Sequence, residues 1–494
     1  EITVGWYQRE AGKSIDDILA RGKVPLLVGG SMLYISTITD ALMRTDPAHA
    51  ETFEANYEAF SQRIREMTDR LVAKMEPYRG TPVVTYHRTW PYLLDRFGLV
   101  KVAEVEPKPG ISPGPRHLSQ CVEAMKASGA RIVIVETYNS KKNADAVARR
   151  ANGKAVVLVH QVRGVPQVDT YEKLFEYNVD TLLTAFAELG IEPRGEAEAE
   201  QQDGPIVNLR SEQPMLEILA APFVACLVLT GILCYFGIHV IMREVIFVDL
   251  ALAQVAAMGA AVGALLGFDP HSAQAYACAL GFTILGAAVF TVGRFRDARV
   301  PQEAIIGIVY AVSTAIALLI FSKIAVEQDE VKNMLVGRLL FVDWPEVARA
   351  AAICAAVGLI HFVLRHRFFA ISTSAKRARS SGLNIYIWDF VFYATFGFVV
   401  TSSVQIAGVL LVFSFLIVPA ACAMIFFSET RTRLLVVWVF GLAASTAGLA
   451  ASAQWDLPTG ASVVTAFGAL FIGCAAAYGI TRRRRERNGA RSRT

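Results

Sequence analysis

The sequence predicts a multi-domain chain: an α/β lobe with a long connecting helix, followed by an all-α polytopic membrane domain of about nine spans. Two observations carry this reading. Residues 217–480 hold repeated apolar runs of about 20 residues, almost without charge and broken by short basic loops. Between residues 82 and 190, short β-branched runs alternate with helix-period segments, the pattern of a β/α repeat with a mostly parallel sheet. Over all 494 residues the chain is 54% hydrophobic and 19% charged, which excludes a wholly soluble protein.

The chain opens on Glu1, with no charged start leading into a short apolar core, so no signal peptide is visible and the N-terminus reads as truncated or spliced. "GWYQREAGKS" (5–14) imitates a phosphate loop, but six residues separate its glycines where GxxxxGK[ST] needs four, and no strand precedes it. Without correctly spaced backbone donors there is no phosphate cradle.

From residue 46 the run "DPAHAETFEANYEAFSQRIREMTDRLVAKMEP" predicts a long helix over 46–76, with Asp46 as N-cap, Pro47 in the first turn and Pro77 as terminator. Phe53, Tyr57, Phe60, Ile64, Met67, Leu71 and Met75 fall three or four apart and give one apolar stripe on a strut of about 45 Å.

After the strut come strand "PVVTY", a helix near 90–96, strand "VKVAEVE", a helix at 115–127, strand "RIVIVE", a helix at 141–151, strand "KAVVLV" and a helix at 170–189. Ligands of such sheets sit beyond the carboxyl ends of the strands. His87, Glu106, Glu136 and His160 all fall there, and imidazoles with carboxylates suit a borderline divalent cation such as Zn²⁺. Each by itself also fits a surface loop residue.

Spans are expected at 217–240, 244–267, 272–293, 302–322, 345–364, 386–402, 404–427, 434–453 and 461–480. Buried helices of a soluble protein seldom run that long without charge. The basic loops "RFRDAR" (294–299), "RHRFFAISTSAKRAR" (365–379) and "TRTR" (430–433), with the tail 481–494, fall on one side, which the positive-inside rule makes cytoplasmic. Everything before residue 214 then falls outside. Asp249 and Gln254 sit in the second span: Asp249 reads either as a solute-path carboxylate or as a snorkelling residue at a helix end. Net charge is only +4 and the clearest basic cluster is the terminal "RRRRERNGARSRT", so nucleic acid is not an expected partner. Six of the seven cysteines lie in apolar segments without metal-ligand spacing and read as small core residues.

Four motifs support a family resemblance. "EAIIGIVYAVSTAIALLI", "RARSSGLNI", "QIAGVLLVFSFLIVPAACA" and "DLPTGASVV" make residues 214–480 resemble the permease of the zinc/manganese/iron ABC importer family. The resemblance implies a homodimer in membrane lipid, powered by a separate cytoplasmic ABC ATPase. That ATPase would dock on the 371–384 loop, through Lys376, Arg377, Arg379, Gly382 and Leu383. On composition alone this loop reads as a solvated basic segment. Many relatives carry Asp and His in a pattern like "DALSHA" where this chain has "DLALAQ" (249–254), so Asp249 is kept and Gln254 stands about where the His would be.

Residues 36–190, through "DPAHAETFEANYEAF", "VVTYHRTWPYLLDRFGL" and "VDTYEKLFEYNVDTLL", look like the C-terminal lobe and connecting helix of the matching metal-binding receptor. By that resemblance His87 matches a metal ligand, and His160 or Asp169 is the candidate to stand in for the family's final Asp; Glu136 is a candidate from its place at a strand end. The first lobe of such a receptor, with its two His ligands, is absent, so half a site is expected, and a complete soluble receptor is a further expected partner. Residues 191–213 read as a linker. Residues 1–35 read as a foreign segment or assembly scar, with a genuine docking segment as the alternative: "ARGKVPLLVGG" is similar to an internal piece of tRNA dimethylallyltransferase over about 30 residues.

The expectation is therefore a bacterial inner-membrane permease component for import of a divalent metal, zinc before manganese or iron, carried as substrate, with no catalytic residues and no permanently bound cofactor. A membrane metal sensor or scaffold is the alternative from another class. A tRNA-modifying transferase is a third, resting on the opening residues alone.

Overall fold

The computed structural model describes residues 32–108, 111–193, 213–268, 272–293, 301–321 and 337–491. Most of the opening segment, most of the linker, the "RFRDAR" loop and the last three residues lie outside the described residues. The chain divides into two compact units.

The first unit holds α1 (Met32–Thr45), α2 (Ala50–Met75), α3 (Pro91–Phe97) from Tyr92 onward, and α6 (Tyr171–Glu188). The long strut is real but shorter at its start than 46–76: Pro47–His49 form a 3-10 turn, and Asp46 makes no cap bond, its Oδ2 instead lying 2.8 Å from His49 Nδ1. The 26 residues of α2 span about 39 Å. Its apolar stripe is buried only from Ile64 through Met67, Leu71 and Met75, while Phe53, Tyr57 and Phe60 are half-buried. That lower half is paired with α6 by a ladder of ions: Arg63 with Glu172 at 3.5 Å, Arg70 with Glu176 at 2.5 Å and Lys74 with Asp180 at 3.1 Å. Exposed pairs of this kind set register more than stability. Thr170 begins α6 by accepting from the Lys173 amide, the usual work of an N-cap hydroxyl.

The second unit starts with a four-stranded sheet in the order β2-β1-β3-β4, every pairing parallel as expected: β1 (Pro82–Thr85), β2 (Val100–Glu104), β3 (Ile132–Glu136) and β4 (Lys154–Leu158). Central β3 is "IVIVE", buried at every residue, as a strand covered on both faces must be. Helices α4 (Pro115–Ser128) and α5 (Lys141–Arg149) return the chain between strands. Pro115 opens α4, Gly129 closes it at φ 70°, and Ser140 caps α5 by accepting from the Asn143 amide.

The described residues in the remainder of this unit are mainly helical: α7 (Gln213–Met242), α8 (Val248–Leu265), α9 (Ala273–Val292), α10 (Gln302–Phe321), α11 (Trp344–Val363), α12 (Arg365–Thr373), α13 (Ala375–Ser380), α14 (Ile385–Phe426), α15 (Thr430–Trp455) and α16 (Thr459–Arg491). Among the described residues eight of these helices are long and apolar enough to cross a membrane. The 42 residues of α14 would stretch about 63 Å, twice the hydrocarbon thickness. Their contacts show two passes. Arg243, just past the end of α7, reaches Asp389, and Phe236 meets Phe396 at 5.0 Å, so the first half of α14 runs against α7. Cys234 donates to the Phe415 carbonyl at 3.3 Å and Ile238 clusters with Ala420 and Ala423, so the second half runs with α7. The chain turns back at Gly408, whose φ 74° and ψ 163° only glycine adopts readily. Among the described residues the break at Gly408 falls between the spans read at 386–402 and 404–427, which here form one of the eight candidate helices.

Candidate functional site

β1 and β3 are adjacent and in register, with Thr85 opposite Ile134 and the Tyr86 amide bonded to the Ile134 carbonyl at 2.7 Å. His87 and Glu136 therefore leave the sheet at the same end of neighbouring strands, whose spacing is about 4.8 Å. His87 is buried, and its Nδ1 lies 2.7 Å from the carbonyl of Glu106. A carbonyl only accepts, so Nδ1 carries the proton, which leaves Nε2 as the ring nitrogen that could ligate a metal ion. Glu136 is fully buried: Oε2 accepts from Asn139 Nδ2 at 2.7 Å, while Oε1 is buried without a hydrogen-bond partner. A buried carboxylate oxygen left unpaired is costly, and a cation would relieve it.

His160 and Asp169 belong to the first unit, and both are exposed. Asp169 pairs with Lys173 at 2.8 Å, and the hydrogen bond from Lys173 holds its carboxyl below the usual range. Among the described residues no group of three or more His, Cys, Asp or Glu side chains is gathered closely enough to hold an ion.

Asp249 lies in the first turn of α8, 1% exposed, and both of its carboxylate oxygens are buried without a hydrogen-bond partner. The helix N-terminus favours a negative charge there, but no neighbouring side chain satisfies it. Gln254 is also buried. Five residues along a helix is a turn and a further 140° or so, so Gln254 departs from a different side of α8 than Asp249.

The basic loop is folded into a short helix. Ser374 caps α13, Ala378 packs with Ile371 and Ile385, and Gly382, at φ 83°, turns the chain into α14. Lys376, Arg377, Arg379 and Gly382 are exposed, and Leu383 is half-buried against the same small cluster.

One group of polar residues at this end of the bundle is absent from the sequence reading. His239 Nδ1 and Arg243 Nε both lie 2.8 Å from Ser372 Oγ, and His361 sits between Tyr235 and Thr395, at 3.2 and 2.9 Å. The available signal was His239 and Arg243 four apart at the end of an apolar run, a spacing that puts both on one helix face.

Residues 215–477 match the ABC 3 transport family over more than half of the chain. The chain belongs to the ABC 3 transport family. Ahead of its ABC 3 domain, residues 30–185 match the periplasmic component A of the zinc-uptake complex. The "Probable iron transport system membrane protein" of Haemophilus influenzae is 27% identical over 177 residues, which cover 36% of this chain and 65% of that protein. The "High-affinity zinc uptake system protein ZnuA" of Brucella abortus is 26% identical over 121 residues, 24% of this chain and 36% of that protein. The chain thus spans less than two thirds of either relative. Among solved structures, "PsaBC from Streptococcus pneumoniae in complex with Fab" superposes with a TM-score of 0.46 at 20% identity, covering 52% of this chain and 92% of that one. A tRNA dimethylallyltransferase of Salinispora tropica is 39% identical over 89 residues, which is 17% of this chain and 28% of that enzyme. That stretch is longer than the 30 or so residues read from the sequence. The ABC 3 domain makes the chain a multi-pass transport subunit rather than a catalytic one.

Proposed function

We propose that this chain is the permease component of an ATP-driven importer of a divalent transition metal, zinc before manganese or iron, with a receptor lobe fused ahead of it on the outer side of a bacterial inner membrane. The observation that carries the reading is Asp249: a buried acidic side chain that no other side chain partners, inside an ABC 3 helix bundle, is a candidate acceptor for a cation. In this reading the lobe receives the metal at His87 and Glu136, a two-donor half of a site. The relatives' names, one for zinc and one for iron, support a metal cargo. An imidazole beside a carboxylate leans toward zinc.

The transport path runs past Asp249, with Gln254 lining another side of the same helix. Weak ligation suits it, since an ion must leave as well as enter. The exposed Lys376, Arg377 and Arg379 and the turn at Gly382 and Leu383 form the docking surface for a separate cytoplasmic ATPase, and a second copy of the chain completes the path. The basic residues at this end of the bundle make it cytoplasmic by the positive-inside rule.

The test is Asp249→Asn, with metal binding and ATP-driven uptake measured on the same preparation. Uptake lost with binding intact supports the path; unchanged uptake removes Asp249 from it. Binding without uptake by the unaltered chain, with its ATPase bound, points to the sensor.

A further inference from the structure

The sheet portion is gripped by the helical bundle of its own unit. Arg149 Nη2 on α5 lies 2.8 Å from Asp343 Oδ2, and Arg150 Nη2 donates to the Leu340 carbonyl at 3.2 Å. Leu340 and Phe341 pack into the core under the sheet with Tyr86, Val133 and Val147. From the other side, Asp456 ends α15 in the left-handed region, and its Oδ1 accepts from the amides of Arg116 and His117 at 2.9 and 3.2 Å, capping α4.

The contact with the longest reach is at Glu346. Lys142, in the first turn of α5, sets its ammonium 2.6 Å from Glu346 Oε1, and the guanidinium of Arg338 pairs with that same oxygen. Glu346 is held in place by the capping box it forms with Asp343 at the start of α11. Arg338, 7% exposed, donates its backbone amide to the carbonyl of Ile406 at 3.1 Å. Its neighbour Gly337, at φ 77°, lies so close to the backbone of Ala407 and Gly408 that a Cβ there would overlap the Ala407 carbonyl. One carboxylate oxygen therefore joins a cation on the sheet portion to the strip that closes over the turn of α14 at Gly408. With Lys142 withdrawn, Glu346 keeps its capping box but loses one of the two cations on Oε1, so the Arg338 guanidinium that shares this oxygen is less firmly fixed next to the backbone amide bonded to Ile406.

We propose that residues 337–346 are the docking surface for the basic helix ends of the sheet portion, and that Glu346 is the positioning residue through which seating of Lys142 fixes the turn of α14 at Gly408. The inference stands on contacts within one unit, and its test needs no cargo and no ATPase, so it succeeds or fails separately from the transport reading.

The experiment is amide hydrogen exchange on the full chain in lipid nanodiscs. Lys142→Met is expected to speed exchange at residues 404–410 about tenfold, because the turn opens locally once its clamp is loosened. Lys142→Arg, which keeps the cation, is expected to restore the slow rate, and Lys126→Met, at an exposed position of α4, to leave it unchanged. The proposal is overturned if Lys142→Met changes exchange only within residues 141–149, if Lys142→Arg exchanges at 404–410 as fast as Lys142→Met, or if Lys126→Met has the same effect.

Discussion

Arg243 Nη1 lies 2.8 Å from Asp389 Oδ1, and both side chains are 1% exposed. The same guanidinium donates through Nε to Ser372 and stacks 3.8 Å over the ring of Phe392. It thereby ties the end of α7 to the start of α14 and to a residue two short of the cap of α13. Removing one member of such a pair strands the other charge: Asp389→Ala is expected to cost about 3–5 kcal/mol in detergent unfolding, while Arg243→Met with Asp389→Leu recovers most of it. If the single and double changes cost the same, the pair is not what holds this corner.

Gly408 turns α14 in a backbone region open in practice to glycine alone. Gly408→Ala is expected to destabilise by about 1–3 kcal/mol. Gly231, in α7 with nothing within 4 Å of an added Cβ, is the control. Gly231→Ala is expected to be neutral or to stabilise by up to about 1 kcal/mol. Thermal midpoints of the two variants, moving in opposite directions or one alone moving down, check this.

Burial pushes the Cys121 thiol up to about 12, with Glu104 and Asp456 adding to the rise. Only the thiolate alkylates readily. The folded chain is expected to leave Cys121 unmodified by iodoacetamide at pH 8 and to modify it once denatured, read by peptide mass. The sign for stability follows: the folded state keeps the proton while the unfolded state loses it above about pH 9, so stability contributed by Cys121 falls between there and about pH 12.

His87 and Glu136 are expected to act together. His87→Ala is expected to weaken zinc binding by the full chain on the order of tenfold or more, and Glu136→Gln to weaken it less, since an amide oxygen still coordinates. Calorimetric titration checks it, and equal affinity in His87→Ala would move the site elsewhere.

The elements that could be read from sequence are those whose cause is local. β3 is a β-branched run and each span declares itself by length, whereas the N-cap read at Asp46 makes no cap bond. Even the reversal in α14 was legible, because the apolar run is twice what a membrane needs. Phe53, Tyr57 and Phe60 had the right period yet remain half-buried, since periodicity states what a helix offers and not how much of it is covered. The partnerships of Arg243 with Asp389, and of Lys142 with Glu346, join residues far apart in sequence, so no local pattern announced them. At the site, His87 was readable as a strand-end imidazole. The proton on its Nδ1 depends on the Glu106 carbonyl, which only the paired strands bring near.

The central claim is vectorial transport, and the direct measurement is accumulation of zinc, manganese and iron, each tested separately, in liposomes holding this chain with its cognate ATPase. The account predicts ATP-dependent accumulation of one of these ions, zinc first, abolished by Asp249→Asn. A folded preparation that binds the ATPase and the metal but accumulates none of the three ions would contradict it.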